Sequence, residues 1–316
     1  MTGLETESVE AVETILQDAG FTVSKRCCSR PSCFDFVAKR KKTVVFAKVQ
    51  PDIGNVSSKD SSELKAISEC TSAASLFISK RTRDKTLEDD TVYSRYNVFA
   101  ITLKTFENML LREMYPLVQA GPGGYYVEID GETIKRRRQE LGFSIGEMAE
   151  MMGTSRRTLY GYERGMAKAS VSAAYNLICI LGIPVAKPIN VFEKSETQHK
   201  RFLKVAKQIF TKNMLLKKIF RRLARCNVRA TAVKKAPFDF IINAPEERMK
   251  IIGGVADNNE TKLNKRIDEI LSVSRIIQAH PILIMDKQPR LNKEISCIHS
   301  KELFKIQNPK DLIVEH

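Results

Sequence analysis

One segment, LGFSIGEMAEMMGTSRRTLYGYERG, constrains the fold of this chain more than any other part of the sequence. Ser144, followed three residues later by Glu147, has the capping-box pattern that starts a helix. Gly153 provides the left-handed residue that a tight turn needs, and Thr154 or Ser155 then caps a second helix. The apolar residues that the two helices bury are Met148, Ala149, Met152, Leu159 and Tyr162. The pattern predicts two short helices joined by a tight turn.

Further helices flank this pair. Gly131 opens a helix with Ile134 and Leu141 on its inner face, and Ser170 caps a later helix. The apolar face of that later helix contains Ala174, Leu177 and Leu181. We expect four or five short helices here and place them at residues 125–192 as a five-helix, all-α domain.

The regions on either side of this domain are related to each other. Phe34-Asp35-Phe36 recurs as Phe238-Asp239-Phe240, and residues 13–36 lie against 217–240 without a gap. After a loop that is two residues longer in the second copy, TVVFAKV matches MKIIGGV as an apolar strand. Both copies follow an order of helices alternating with strands, which favours an α/β sheet with helices on its faces.

These patterns predict a fold of class α/β plus all-α. Gly121-Pro122-Gly123-Gly124 forms a hinge or tight turn before the helical domain, and Pro188 lies near the other boundary. We therefore expect an α/β domain at residues 1–124 and the helical domain at residues 125–192. A second, more diverged α/β domain of the same kind follows at residues 193–316.

The helical segment resembles the helix-turn-helix of the phage repressor/Cro class, whose pattern is LGxSxxELAxxxGVSxxTIxxxExG. The resemblance implies that the start of the third helix enters the major groove of DNA. The residues at the base-reading positions of that class are Ser155, Arg156, Arg157, Tyr160 and Gly161. Arginine suits this role because its fork binds guanine O6 and N7 together. Gly161 departs from the long polar residue usual in the class.

The same resemblance assigns other positions. Ser144 matches a residue whose backbone N–H and side chain hold a phosphate, and Arg138 and Glu163 match a pair that forms an internal salt bridge. The first helix of the domain adds three basic residues: Lys135, Arg136 and Arg137. These three either contact DNA phosphates or form a solvated helix face.

The flanking copies resemble the restriction-endonuclease-like fold, in which an Asp and a (D/E)-x-K pair hold a divalent metal that activates water. Asp35 and Lys48 stand at matching positions, but Phe46 replaces the second acid. The second copy has Asp239, Ile252 and Gly254 at these positions. A single carboxylate binds Mg²⁺ poorly, so we interpret both sites as degenerate, with no catalytic residue, no metal and no cofactor. The structural alternative for both aspartates is a carboxylate that caps a turn or pairs with Lys or Arg.

The charge of the chain favours a polyanionic partner. Its net charge is +15 and its pI is about 9.5, and residues 198–235 hold 13 Lys or Arg and no acidic residue. A helix in this segment would bury Leu216, Ile219, Phe220 and Leu223. Its opposite face would present basic residues to DNA phosphates, or only to solvent: Lys218, Arg221, Arg222 and Arg225.

Seven cysteines and four histidines are scattered without metal-ligand spacing, so we expect reduced thiols. The longest apolar stretch, residues 173–186, is shorter than the roughly 20 residues of a membrane span. The start MTGLETESVE is acidic and polar, unlike a secretory signal. We expect a soluble, cytoplasmic protein with no membrane partner.

The whole arrangement resembles the helix-turn-helix transcriptional regulators of archaea. The resemblance rests on RPSCFDFVAKR, on SKRTRDKTLEDDTVYSRYNVFAITLKTFE and on the Gly-Pro-Gly-Gly entry to the helical domain. It implies regulation through double-stranded DNA, with flanking domains for dimerisation, backbone contact or sensing of an effector that the sequence does not identify. Because one helix-turn-helix covers only a half-site, we expect a homodimer on DNA.

Two alternatives from other classes remain at this point. One is a metal-dependent DNA nuclease that its helix-turn-helix directs to a target, against which Phe46 argues. The other is a protein-interaction role for the helical domain, against which the basic pair Arg156 and Arg157 argues.

Overall fold

The computed structural model describes residues 3–192, 214–223, 226, 228–256, 260–285 and 295–313. The α-helices of these residues are, in chain order, α1 Gly3–Asp18, α2 Ser58–Thr71, α3 Leu103–Leu111, α4 Gly131–Glu140, α5 Ile145–Met151, α6 Arg156–Glu163, α7 Val171–Leu181, α8 Met214–Leu223 and α9 Leu263–Ile277. The strands are β1 Thr22–Val23, β2 Phe36–Arg40, β3 Thr43–Val49, β4 Ala74–Ile78, β5 Arg81–Thr82, β6 Lys85–Thr86, β7 Thr91–Arg95, β8 Val98–Ile101, β9 Val118–Gly121, β10 Gly124–Val127, β11 Ala169–Ser170, β12 Arg229–Ala232, β13 Phe240–Ala244, β14 Met249–Val255, β15 His280–Met285 and β16 Ser296–His299.

The chain divides into two compact units. The first contains residues 1–51, 55–77 and 192–316, and the second contains residues 52–54 and 78–191, as far as each is described. Where the sequence predicts three domains, the structure joins parts of both α/β copies in the first unit. None of the described helices is both long and apolar enough to cross a membrane.

The first unit contains two sheets built on the same plan. Strands β1, β2 and β3 are antiparallel neighbours, as are β12, β13 and β14, and β14, β15 and β16 then run parallel. Phe36 pairs with Ala47 in the first sheet, and Phe240 pairs with Gly253 in the second. The structure thus contains the repeat in the register that the sequence predicts, including the longer loop of the second copy.

Helix α8 covers the second sheet with the apolar face that the sequence predicts. Leu216, Ile219, Phe220 and Leu223 are buried in one core with residues of β13, β14 and β15. The ring of Phe220 meets that of Phe240 edge to face, with centroids 6.3 Å apart. Burial of each such side chain contributes about 1.5–3 kcal/mol, so this face fixes the helix on its sheet.

The two copies of the first unit pack against each other reciprocally. Helix α2 of the first copy contacts β12 and β13, and α9 of the second copy contacts β2. Glu63 of α2 accepts hydrogen bonds from the backbone N–H groups of residues 234 and 235, at 3.0 and 2.8 Å. Glu269 of α9 accepts from those of residues 28 and 29, at 3.0 and 2.7 Å. Each copy therefore uses a helix carboxylate to hold the loop that precedes the Phe-Asp-Phe strand of the other copy.

In the second unit, β8, β7, β9, β10 and β11 are neighbours in that order. Strands β9 and β10 form a hairpin whose turn is Pro122-Gly123, and Gly123 has a φ of +84°. Proline followed by a left-handed glycine is the requirement of a type II turn. The Gly-Pro-Gly-Gly sequence is therefore a tight turn between strands.

Helices α4 to α7 follow the hairpin and share one core, which includes Ile134, Met148, Leu159, Leu177 and Leu181. The expected fifth helix is not found, since residues 182–192 are all described and none of them is helical. Gly182 ends α7 with a φ of +65°, and two prolines follow in Ile-Pro-Val-Ala-Lys-Pro. Ala186 instead forms an antiparallel bridge with Ile129.

Candidate nucleic-acid interface

Helices α5 and α6 form a helix-turn-helix. The Ser144 side chain accepts from the N–H of Glu147 at 3.2 Å, and the Glu147 carboxylate accepts from the N–H of Ser144 at 2.8 Å. Gly153 has a φ of +63° in the turn, and Ser155 caps α6 by accepting from the N–H of Thr158 at 3.0 Å. Both caps lie at the positions that the sequence predicts.

The first turns of α6 present the expected basic residues. Arg156 and Arg157 are exposed, and Tyr160 one turn later is 44% exposed, with the guanidinium of Arg164 5.4 Å from its ring centroid. The side chain of Arg156 lies against α5, because a Cβ built on Gly146 would be 3.0 Å from its Nε. Gly146 thus leaves room for an arginine between the two helices, a role that the sequence pattern did not reveal.

Gly161 differs from the other base-reading candidates. It is buried, and a Cβ at this position would lie 3.7 Å from the Cβ of Ala167. Arg157 and Arg164 on the same side of α6 are exposed, but Gly161 has no side chain and its backbone is covered, so it has no group to offer a base. The prediction that Gly161 reads DNA is therefore corrected.

A buried ion pair supports the reading helix. Arg138 of α4 donates to Glu163 of α6 through Nε at 2.6 Å and through Nη2 at 3.2 Å, and its Nη1 donates to the carbonyl of Phe143 at 2.7 Å. Both side chains are less than 10% exposed. Removing one partner of such a pair typically costs about 3–5 kcal/mol, because the other charge stays buried. The predicted structural pair is thus present, and it ties α4 to the end of α6.

The candidate phosphate contacts differ in how many of their polar atoms already form hydrogen bonds or ion pairs within the protein. The N–H of Ser144 is taken by Glu147, and these hydrogen bonds hold the pKa of the Glu147 carboxyl below its usual value. Arg137 donates from Nε to the carbonyl of Leu181 at 3.1 Å and from Nη1 to Glu140 at 3.1 Å. Arg136 lies 3.9 Å from the same carboxylate and is exposed, and Lys135 is partly exposed. Arg136 and Lys135 are therefore better placed for phosphate than Arg137.

The first nuclease-like position combines one carboxylate, one lysine and one buried aromatic ring. Asp35 accepts from Lys48 Nζ at 3.1 Å and from the N–H of Val49 at 2.8 Å. Phe46, where the second acid would be, is fully buried with its ring 5.0 Å from that of Phe34. A divalent cation needs more anionic oxygen than one neutralised carboxylate supplies, so these residues do not fit a metal. Across the described part of the chain, no group of three His, Cys, Asp or Glu side chains is arranged to hold one.

The second nuclease-like position is blocked by the chain itself. Asp239 pairs with Arg266 Nη2 at 2.5 Å and with Arg30 Nη2 at 2.7 Å, and it also accepts from the N–H of Val255 at 2.7 Å. Arg266 is only 2% exposed. Gly254 makes this possible, since a Cβ there would lie 3.2 Å from Arg266 Nη2. The guanidinium thus occupies the place of the missing lysine.

Sequence reasoning missed Arg30 and Arg266 as partners of Asp239, and Glu63 and Glu269 as links between the copies. The repeat itself carried one signal, because Glu63 and Glu269 occupy equivalent positions in α2 and α9. The two arginines had no such signal. Their partner, Asp239, is far from both of them in the sequence, and Arg30 belongs to the other copy.

The basic face of α8 is only partly described. Arg221 is exposed on the side opposite the buried apolar face. Lys218 and Arg222 lie within the helix, but their side chains are outside the described part of the structure. Arg225 and the whole basic segment at residues 198–213 also fall outside the described residues.

Comparisons with known proteins agree with this geometry. A family model for a PD-(D/E)XK superfamily domain matches residues 5–116, and one for a helix-turn-helix matches residues 134–187. A curated protein of Methanocella arvoryzae, named "Putative HTH-type transcriptional regulatory protein", is 33% identical over 96% of this chain and 93% of its own length. Relatives of the same designation from Methanocaldococcus jannaschii and Pyrococcus furiosus are 31% and 28% identical. They cover 97% and 96% of this chain, and 94% of each relative is matched. No solved structure matches the chain.

Proposed function

We propose, because this chain belongs to the family of archaeal HTH-type transcriptional regulatory proteins, that it binds a specific sequence in double-stranded DNA and regulates transcription from it. The observation that carries the proposal is the surface of α6. Two arginines and a tyrosine are exposed over its first turns, on a helix whose opposite face and C-terminal end are fixed by the core and by the Arg138–Glu163 pair. The proposed place of this activity is the cytoplasm.

The proposed base-reading set is Ser155, Arg156, Arg157 and Tyr160. In this docking geometry the N-terminal turns of the second helix enter the major groove, where a guanidinium fork reads guanine. The hydroxyl of Ser155 accepts a capping bond from the N–H of Thr158 and lies 2.9 Å from the hydroxyl of Thr158, so it can donate its proton to a base or phosphate when Thr158 is the donor of that pair. Lys135, Arg136 and Ser144 are proposed as backbone contacts, together with the basic face of α8.

Selection of bound duplexes from a random library, followed by affinity measurement on the selected site, tests this proposal. Arg156→Ala and Arg157→Ala should each weaken specific binding by about 1–3 kcal/mol and relax base choice at one position. Arg112→Ala, which removes an exposed arginine at the end of α3, is the charge-matched control and should retain both affinity and preference. Unchanged binding by both helix variants would exclude α6 as the reading helix, and a lack of any DNA binding would favour a protein-interaction role.

We further propose that the protein does not cleave DNA. Asp35 is neutralised by Lys48, Phe46 replaces the second acid, and Asp239 is held by two arginines. Incubation of supercoiled plasmid with the protein and Mg²⁺ or Mn²⁺ should leave the plasmid intact. Cleavage that Lys48→Ala abolishes would establish the nuclease alternative instead.

A homodimer on DNA completes the proposal, because one helix-turn-helix covers only a half-site. The surfaces through which the two α/β copies contact each other are occupied within a single chain. Contact between two chains is therefore proposed to involve another surface. Sedimentation at micromolar concentration, with and without the selected duplex, should give two chains per duplex. One chain per duplex would overturn the dimer and leave the helix-turn-helix assignment intact.

A further inference from the structure

The two Phe-Asp-Phe aspartates of the repeat face very different surroundings. In front of Asp239 the space is filled by Arg266, which also bonds Glu260 at 2.8 Å and the carbonyl of Pro237 at 2.6 Å. The residue that matches Arg266 in the first copy is Asp60, which forms an ion pair with Lys235 instead. The helix of the first copy therefore places no arginine at the position in front of Asp35 that Arg266 fills in front of Asp239.

An open cleft occupies this position in the first copy. It has a volume of about 400 Å³ and is lined by segments from α1, from residues 26–32 and from the end of β3, and by Lys262 of the second copy. Pockets for small ligands typically have volumes of about 300–1,000 Å³, so the cleft has room for a molecule of nucleotide size.

The lining of the cleft has more cations than anions, although Lys48 and Arg30 already form ion pairs with Asp35 and Asp239. Four basic residues line it: Arg26, Arg30, Lys48 and Lys262. The one acidic residue in its wall is Asp35, whose two oxygens already accept from Lys48 and from the N–H of Val49. Several cations around a concave surface focus the potential on an anion inside it.

We propose that this cleft binds a phosphate-bearing ligand, at a site to which both α/β copies contribute. Guanidinium and ammonium donors match the several acceptor oxygens of a phosphate, and charge-assisted bonds of this kind are strong. The binding requires no metal, because the cations of the chain supply the positive charge. Glu269 holds the loop at residues 28 and 29, so segment 26–32 keeps its place along the cleft.

Calorimetric titration of the full-length protein in EDTA tests this, with ATP and inorganic pyrophosphate as ligands and adenosine as the uncharged control. ATP and pyrophosphate should bind saturably, and adenosine should not. Lys262 is a suitable position for variants because it precedes α9, is exposed and makes no capping hydrogen bond. Lys262→Gln should weaken ATP binding about tenfold, and Lys262→Glu more strongly.

Lys59→Gln is the matched control, since Lys59 is exposed at the equivalent helix start of the first copy and does not line the cleft. It should bind ATP as the unmodified protein does. The proposal is overturned if neither phosphate ligand binds saturably, or if Lys59→Gln weakens binding as much as Lys262→Gln.

The phosphate could come from a free small molecule or from the DNA backbone, and two readouts separate these sources. A free ligand should bind with unchanged affinity in the presence of the selected duplex. A backbone phosphate in the cleft should make ATP compete with DNA, and Lys262→Gln should then flatten the salt dependence of DNA affinity by about 0.9 in log–log slope. Arg156→Ala should keep ATP binding in either case, so failure of this proposal and failure of the reading-helix proposal are distinguishable.

Discussion

Single glycines determine how closely the helices of the second unit approach each other. Gly131 begins α4, and a Cβ there would lie 2.5 Å from the carbonyl oxygen of Tyr162 and closer still to that of Glu163. Both oxygens belong to the backbone of α6, which cannot rotate away as a side chain can. Gly161, also in α6, has only the Cβ of Ala167 within ordinary contact distance.

Alanine at these two positions should have opposite effects. Gly131→Ala forces α4 away from the reading helix and should destabilise the protein by about 1–3 kcal/mol. Gly161→Ala removes a flexible residue from a helix interior and should stabilise it by about 0.5–1 kcal/mol. Urea unfolding of both variants measures the two shifts. Equal effects would mean that α4 and α6 do not approach as closely as the structure has them.

Another residue, Glu69 of α2, opposes folding when it is charged. Burial raises the pKa of its carboxyl from 4.5 to about 7, and its Oε1 has no hydrogen-bond partner among the described residues. The folded state therefore holds the proton more tightly than the unfolded state does. Stability should be fully present below about pH 4.5, fall as the pH rises towards 7, and stay lower above it.

Glu69→Gln should remove the loss of stability that the unmodified protein shows as the pH rises. At pH 8 we expect a gain of about 1–2 kcal/mol in the free energy of unfolding, less than the shift alone implies because the side chain is partly exposed to solvent. At pH 4.5 the variant and the unmodified protein should agree. Glu10→Gln, at an exposed position of α1, is the control and should give no gain that depends on pH.

At the scale of elements, local signals were sufficient where capping and turn residues define the boundaries. Ser144, Gly153 and Ser155 place α5 and α6 almost to the residue, and the apolar spacing of α8 predicts its buried face. The prediction of a fifth helix was wrong. Gly182 ends α7, and the two prolines that follow prevent the apolar residues between them from forming another helix. Gly161 was misassigned because a match to a motif position does not supply the side chain with which a residue contacts a base.

The basic residues of α8, together with Arg225 beyond its end, give a prediction at this scale. Replacing Lys218, Arg221, Arg222 and Arg225 by Gln should flatten the slope of log affinity against log salt by about two to four units, since each neutralised phosphate contributes roughly 0.9. Base preference should survive, because phosphate contacts position a protein and base contacts specify the site. Replacing Lys42, Lys59, Lys301 and Lys310 removes the same charge from exposed positions elsewhere and is the control. An equal change of slope in both quadruple variants would mean that the effect comes from the net charge of the protein and not from the position of these residues.

At the scale of the whole molecule, the pairing of the two α/β copies was beyond the reach of sequence reasoning. The repeat revealed two similar domains, but the contacts between them join residues far apart in the chain, such as Glu63 and Lys234, which are 171 positions apart, and Cys28 and Glu269, which are 241 apart. Such contacts have no periodicity or spacing in the sequence. The pairing also explains why Asp239 could be retained without a metal, since Arg30 reaches it from the other copy.

The reciprocal carboxylates predict that the two copies unfold together. Glu269 is 2% exposed and satisfies two backbone N–H groups of the first copy, in addition to the hydroxyl of Ser29. Glu269→Ala leaves these donors without their acceptor, which costs about 1–3 kcal/mol for each group that is buried, as those of Ser29 are. The loss should appear in the first copy although the substitution lies in the second.

Hydrogen exchange followed by mass spectrometry measures this directly. In Glu269→Ala, amides of β2 and β3 should exchange faster by about the same factor as those of β13 and β14, because one cooperative opening exposes both sheets. Glu302→Ala is the control: Glu302 is exposed and caps a short helical turn after β16, so its effect should stay local. Faster exchange confined to the second sheet in Glu269→Ala would show that the copies open independently and that their contact contributes little to the stability of the first.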